Sequence, residues 1–215
     1  MGVIYLVRHG QASFGADDYD VLADRGREQA RIAGAALAAR GIRPDRLVSG
    51  GLRRQRDTLA ALADAAGWDL EPRVDARWDE FDHTAVLDDF LATTGRSGDF
   101  TDSKEFHRAY LEAVAAWTTG AAAAQETFAE FDARCTAALE AVAGDDTAVV
   151  VTSGGVIGLL AARLLGGDAT RWAQLNTVVV NASISKVLSS GRGLTALTFN
   201  EHGHLEHDRS LVTYR

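Results

Sequence analysis

Cysteine is all but absent from this chain. Cys135 is the single one in 215 residues, so no disulfide can close within it. That fits a reducing compartment, and a cytoplasmic location is expected. Long apolar runs are missing as well, which excludes a membrane-spanning helix. The only early apolar run is cut by Arg8 and His9, so no N-terminal signal segment is expected. Positive charge is in deficit: 22 lysines and arginines against 30 aspartates and glutamates leave a net charge of -8. Such a balance disfavours non-specific binding to nucleic acid or anionic lipid, and neither is expected as a partner. Gly-x-Gly-x-x-Gly and the Walker Gly-Lys-Ser/Thr pattern do not occur, which argues against dinucleotide binding and nucleotide hydrolysis of those types.

What is present is the makeup of a folded domain, with 47% hydrophobic and 24% charged residues, ordinary proportions for a globular protein. The length favours one domain with an insertion over two small ones. Val3 to Val7 is an unbroken apolar run rich in β-branched residues, suited to a strand buried on both faces of a parallel sheet. It runs out into Arg8-His9-Gly10, and the carboxyl ends of strands in open α/β sheets are where ligands sit. Arg8 brings a permanent cation with planar donors suited to phosphate oxygens. His9 brings a nitrogen nucleophile that is largely neutral near pH 7. Gly10 lets backbone and ligand approach closely. These three residues read as a phosphate site with its own nucleophile, set inside an acidic shell.

A strand ending in Arg-His-Gly near the N-terminus resembles the histidine phosphatase superfamily, the phosphoglycerate mutase-like proteins, and the similarity extends from Val3 to about Leu205. Leu22, Gly26, Gln29 and Ala30 match the pattern of the family's first helix. Ser49-Gly50-Gly51-Leu52-Arg53-Arg54, continued to Thr58, is similar to the family's Ser-x-x-Leu-x-Arg-x-x-x-Thr stretch, and its arginine falls on Arg54. Residue physics agrees, because a strand end set against a helix N-terminus attracts anions. A guanidinium on the first turn can then grip a phosphate through two donors. Helical spacing turns Arg53 and Arg56 away, so they are expected as solvated neighbours. Glu80 matches the family's proton donor to the leaving oxygen, and Ser153-Gly154-Gly155 matches its second strand-to-helix turn.

The chain also departs from the family. Ser153 stands where most members have a histidine, and Ala12 and Gly15 stand where relatives often have threonine and asparagine. Ser153 can donate one hydrogen bond but cannot carry a positive charge. A hydrogen bond to a charged partner contributes about 1.5–3 kcal/mol, so the change would slow transfer by about 10- to 100-fold. Phe81-Asp82-His83 differs from the stretch that follows the glutamate in the mutase branch, which weakens a mutase reading. His83 is taken as a surface residue rather than a replacement for the missing histidine.

The rest of the chain supplies a scaffold. Asp17-Asp18-Tyr19-Asp20 is expected as a solvated loop, with Asp24 capping a helix within Arg25 to Arg40 and Gly41 stopping it. Leu47-Val48-Ser49 is a second strand completing a βαβ unit, and the helix after it ends near Gly67. Residues from about 86 to 144 look like a helical insertion with a joint at Thr93 to Gly98. Phe106, Tyr110, Val114 and Trp117, then Phe128, Phe131, Cys135 and Leu139, recur at helical spacing and are expected in the core. No arginine stands five residues after Cys135, which excludes a cysteine-dependent phosphatase site. Thr147 to Thr152 is another buried strand, and Gly166-Gly167 precedes an amphipathic stretch around Arg171 to Leu175. Val178 to Val180, Ile184 to Leu188 and Leu194 to Phe199 are strand-like, the last two joined by a hairpin turn at Ser190-Gly191-Arg192-Gly193. The histidines between Asn200 and His207 have zinc-like spacing but no element to fix their geometry, and relatives end similarly without metal, so no metal site is expected.

The expectation is one domain over residues 1–215: a three-layer α/β/α sandwich with a mostly parallel central sheet and a helical insertion at about 86–144. The resemblance implies a phosphatase acting on phosphate monoesters. His9 would attack phosphorus and hold a phosphohistidine. Arg8, Arg54, Ser153 and Gly154 would bind the phosphoryl group. Glu80 would protonate the leaving group and then activate water. The insertion would roof the site and select the substrate. No metal or organic cofactor is implied, since positioning and electrostatics carry such transfer. The expected partner is a small phosphorylated substrate, and a homodimer is left open. The alternatives are mutase-type transfer to a second hydroxyl and a catalytically weak phospho-ligand binding protein.

Overall fold

The computed structural model describes residues 1–13, 20–100, 102–121 and 125–214. In chain order these form β1 (Gly2–Arg8), α1 (Asp24–Ala39), β2 (Arg46–Ser49), α2 (Arg53–Ala66), the short β3 (Arg73–Val74), α3 (His83–Thr94), α4 (Ser103–Thr118) and α5 (Phe128–Val142). They continue with β4 (Thr147–Thr152), α6 (Gly154–Leu164), α7 (Ala169–Asn176), β5 (Ile184–Ser190) and β6 (Gly193–Glu201). The strands make one six-stranded sheet in the order β3-β2-β4-β1-β5-β6. β3, β2, β4 and β1 run parallel, β5 is antiparallel to β1, and β6 is antiparallel to β5.

The side-chain alternation of β1 divides the core. Tyr5 and Val7 point to the face covered by α1 and α2, where Ala33, Leu37, Leu59 and Leu62 pack with Val149 and Val151. Ile4 and Leu6 point to the opposite face, where α3 to α7 contribute Leu87, Trp117, Phe131, Ile157 and Trp172. Strands buried on both faces are near-continuous in apolar residues, which is why β1 and β4 carry no polar alternation. The second face is rich in aromatic contacts. Phe81 stacks on Trp117 with centroids 4.9 Å apart, and Phe128 meets Trp172 at 4.9 Å. The result is the expected α/β architecture, mostly parallel, with helices on both sides.

Several details differ from the expectations. β1 and β2 are not neighbours, because β4 lies between them. The N-cap of α1 is Ala23 with no side-chain cap, and Asp24 is already the first helical residue. Residues 178–180 form no strand. Their backbone is satisfied by side chains instead: Asn200 Oδ1 accepts from Val180 N at 2.8 Å, and Asn200 Nδ2 donates to Val178 O at 2.8 Å. The carbonyl of Val179 accepts from Arg8. With these groups engaged, no ladder partner is needed. Phe106, expected in the core, is 42% exposed. The Ser190–Gly193 turn does join β5 and β6 as a hairpin, with Gly193 at a φ of 102°.

Candidate active site

The sheet register brings the candidate residues to one edge. Arg8 at the end of β1 pairs with Thr152 at the end of β4, so Arg8-His9-Gly10 and Ser153-Gly154-Gly155 leave the sheet side by side. Ser49, at the end of β2, lies opposite Val151, and the chain turns there into α2, which carries Arg54 on its first turn.

His9 is held from every side. Its N–H donates to Thr152 O at 2.8 Å, and its carbonyl accepts from Asn181 Nδ2 at 3.1 Å. Gly10 N donates to Thr58 Oγ1 at 3.0 Å, and that hydroxyl donates to Arg54 O at 2.7 Å. Only glycine fits at position 10, because a Cβ there would lie 2.2 Å from Gly26 O, where α1 packs directly on the loop. The ring Nδ1 is 2.8 Å from Gly10 O, and Nε2 is 3.2 Å from Arg54 Nε. A carbonyl oxygen only accepts and a guanidinium only donates, so Nδ1 carries the hydrogen and Nε2 presents a lone pair. Burial, then the charges of Arg8 and Arg54, hold the imidazole pKa well below its usual value. His9 is thus a neutral base with its lone pair aimed at the arginine cluster.

The two arginines are anchored differently. Arg54 Nη1 donates to Asp20 Oδ1 at 2.8 Å, and the Asp20 carboxylate also accepts from Arg54 N at 3.3 Å and Arg53 N at 2.7 Å. Asp20, expected as solvated surface, is therefore the carboxylate that meets the open N-terminus of α2. This contact crosses 33 residues and leaves no local signal. Arg53 and Arg56 are exposed, as helical spacing required. Arg8 donates to the carbonyls of Val179 and, at 3.1 Å, of Tyr214. Its Nε would lie 3.3 Å from a Cβ on Gly154, so the bare glycine leaves room for the guanidinium edge.

Glu80 comes from the loop before α3. Its Oε2 accepts from Gly155 N at 2.9 Å, at the start of α6. A Cβ on Gly155 would fall 2.2 Å from Glu80 Oε1, so this glycine makes room for the carboxyl group. Burial raises the carboxyl pKa above its usual value, against the lowering pull of the Gly155 N–H and of Arg54 and Arg8. Burial dominates, which favours the protonated acid.

Ser153 is fully buried at 0% exposure, and its Oγ accepts from Gln55 Nε2 at 2.9 Å. Gln55 also donates to Trp78 O at 3.1 Å. Sequence reasoning did not single out Gln55 or Asn181, because a buried amide cannot be told from a surface one without tertiary contacts. Ala12 is buried and bridges to Leu22, while Gly15 and residues 17–19 lie outside the described residues. His83 is exposed at the start of α3, its ring 6.5 Å from that of Tyr110. His202, His204 and His207 face the backbone oxygens of Asn200, Ala182 and His204. Among the described residues no cluster of His, Cys, Asp and Glu is arranged to hold a metal. Burial pushes the Cys135 thiol pKa up, which leaves it inert.

Fold and site together define an α/β protein with a neutral histidine between arginines at the carboxyl edge of a parallel sheet. A model of the histidine phosphatase superfamily (branch 1) matches residues 4–202, and the chain belongs to that family. Among solved structures, phosphoglycerate mutase from Bacillus anthracis str. Sterne is 19% identical, with a TM-score of 0.68 over 94% of each chain. Mycobacterial glucosyl-3-phosphoglycerate phosphatase is 25% identical, with a TM-score of 0.64 over 93% of this chain and 99% of its own. A phosphoserine phosphatase mutant from Entamoeba histolytica is 20% identical, with a TM-score of 0.59 over 95% of this chain and 100% of its own. No curated protein matches the chain.

Proposed function

We propose that the protein is a phosphatase that hydrolyses phosphate monoesters through a phosphohistidine. The observation that carries this reading is His9, neutral and with its Nε2 lone pair directed at Arg54 Nε, 3.2 Å away. In the first step Nε2 attacks phosphorus, the N–P bond forms, and the P–O bond to the alcohol breaks. Glu80 gives its proton to the departing oxygen. In the second step Glu80, now a carboxylate, takes a proton from water as the water oxygen attacks phosphorus. The N–P bond breaks, inorganic phosphate leaves, and both residues return to their starting forms. Arg8 and Arg54 stabilise charge on the phosphoryl oxygens, with Gly154 leaving room for Arg8 and the Ser153 hydroxyl adding at most one donor. Arg54 Nε must turn from His9 to a phosphoryl oxygen as the substrate arrives.

Turnover of phenyl phosphate tests this. The wild type should release phosphate and form an acid-labile phosphoenzyme, and His9→Ala should do neither. Activity of His9→Ala within a few-fold of wild type would sink the mechanism. One observation favours a second reading, a weak phospho-ligand binding protein: Ser153, at the family's usual second histidine, is enclosed and engaged by Gln55. Phosphate binding without turnover in the wild type would decide for that reading.

A further inference from the structure

Two peptide planes follow His9, and each is held at both of its polar ends. A peptide unit is planar, so fixing its N–H fixes the direction of its C=O. In the plane between His9 and Gly10, the His9 carbonyl accepts from Asn181 Nδ2 at 3.1 Å and Gly10 N donates to Thr58 Oγ1 at 3.0 Å. In the plane between Gly10 and Gln11, Gln11 N donates to Gln29 Oε1 at 2.8 Å, and the Gly10 carbonyl faces His9 Nδ1 at 2.8 Å. This second plane therefore aims the acceptor that orients the imidazole, and with it the Nε2 lone pair.

The two amides that hold these planes meet at Thr213. Gln29 on α1 and Asn181 before β5 are both fully buried, and Thr213, 184 residues after Gln29, is half-buried. Gln29 Nε2 donates to Thr213 Oγ1 at 2.8 Å and to Leu211 O at 2.7 Å. The Thr213 hydroxyl donates to Asn181 Oδ1 at 3.0 Å, and Asn181 N donates to Thr213 O at 2.9 Å. Donation runs one way round: Gln11 N–H to Gln29, Gln29 to Thr213, Thr213 to Asn181, and Asn181 to the His9 carbonyl. The junction needs a hydroxyl, because it must accept from one amide and donate to the other. In a buried chain of this kind each bond polarises the next. One residue on, Tyr214 O accepts from Arg8 Nη2 at 3.1 Å, so the same anchor holds a carbonyl against Arg8.

We propose that Thr213 is a positioning residue, whose hydroxyl closes the chain of hydrogen bonds that aims His9 at the phosphoryl group. It touches no reacting atom and acts through Gln29 and Asn181. Without the hydroxyl both buried amides lose a partner, and the planes they hold are free to turn. The inference deepens the phosphatase reading and rests on it for its kinetic consequence.

Thr213→Val keeps the shape and removes the hydroxyl, whereas Thr213→Ser keeps the hydroxyl. On phenyl phosphate Thr213→Val should lower kcat by about tenfold with KM little changed, the mark of misplaced groups rather than weaker binding. Thr213→Ser should recover most of that loss. Amide hydrogen exchange reads the turn directly and needs no turnover. In Thr213→Val the Gln11 amide should exchange about tenfold faster, while the amide of Val150, buried in β4, changes far less because it opens with the whole fold. Equal acceleration at both amides would mean a general loss of stability and would overturn the proposal. So would unchanged exchange at Gln11, a kcat equal to wild type, or a loss that Thr213→Ser shares. If the wild type turns over no phenyl phosphate, the phosphatase reading fails, and exchange at Gln11 against Val150 alone decides this inference. Should Thr213→Val not fold, Thr213→Ala removes the same hydroxyl and carries the same measurements.

Discussion

Two residues with opposed titration set the acid–base behaviour expected of the site. His9 must be neutral to attack, and its pKa lies well below 6.5, chiefly through burial. The imidazole therefore keeps its lone pair into the acidic range, and the rising limb of kcat/KM should fall well below pH 6.5. Glu80 must be protonated to serve the leaving group, and burial raises its pKa above 4.5. Activity should accordingly decline as pH rises through that raised value. On an alkyl phosphate, Glu80→Gln should lower kcat by about 10²- to 10⁴-fold, the usual contribution of general acid catalysis, and flatten the falling limb. The substrate phosphate has its own pKa of about 6, so the difference between the wild-type and variant profiles is the quantity to measure. A superimposable profile for Glu80→Gln would remove Glu80 as the acid. His9 also links pH to stability. Its folded-state pKa is depressed, so the unfolded chain binds the proton first, and stability is lost as pH falls below 6.5.

At the scale of elements, the N-terminus of α2 meets a carboxylate from a distant loop. Asp20 bonds to Arg53 N, Arg54 N and Arg54 Nη1, and Arg54 Nε in turn meets His9. Asp20 thereby sets the angle at which Arg54 enters the site. Asp20→Ala should cost about 1 kcal/mol in stability, the usual effect of losing a cap. It should reduce kcat on phenyl phosphate by about tenfold, because misplaced groups in an active site cost 10²-fold at about 1 Å. A kcat equal to wild type would show that Arg54 keeps its place without Asp20. The ends of α1 and α2 were legible without the fold, since Gly41 and Gly67 take positive φ where helical periodicity stops. Asp20 was not legible, because an acidic loop residue looks alike whether it faces water or a helix end.

Across the whole molecule, charge and layering act together. An acidic chain of net charge -8 places two arginines beside its candidate nucleophile, so under the proposed function the attraction for a phosphate would be local to the sheet edge. Phosphate release should survive chelation, since no step of the proposed mechanism draws on a metal. Loss of activity with EDTA, restored by a divalent ion, would return the C-terminal histidines to consideration. Among the described residues no helix is long and apolar enough to cross a membrane. By itself the sequence determined the buried strands β1 and β4, the Arg8-His9-Gly10 exit, the placement of Arg54 on a helix start and the β5–β6 hairpin. Each of these is written in short-range periodicity, turn chemistry or a contiguous motif. Only the tertiary structure decided that β4 lies between β1 and β2, that Gly155 makes room for Glu80, that Gln55 engages Ser153 and that Asn200 satisfies the backbone of residues 178–180. Those outcomes depend on which distant backbone groups meet when the layers close, and a polar side chain carries no local record of the partner it will find.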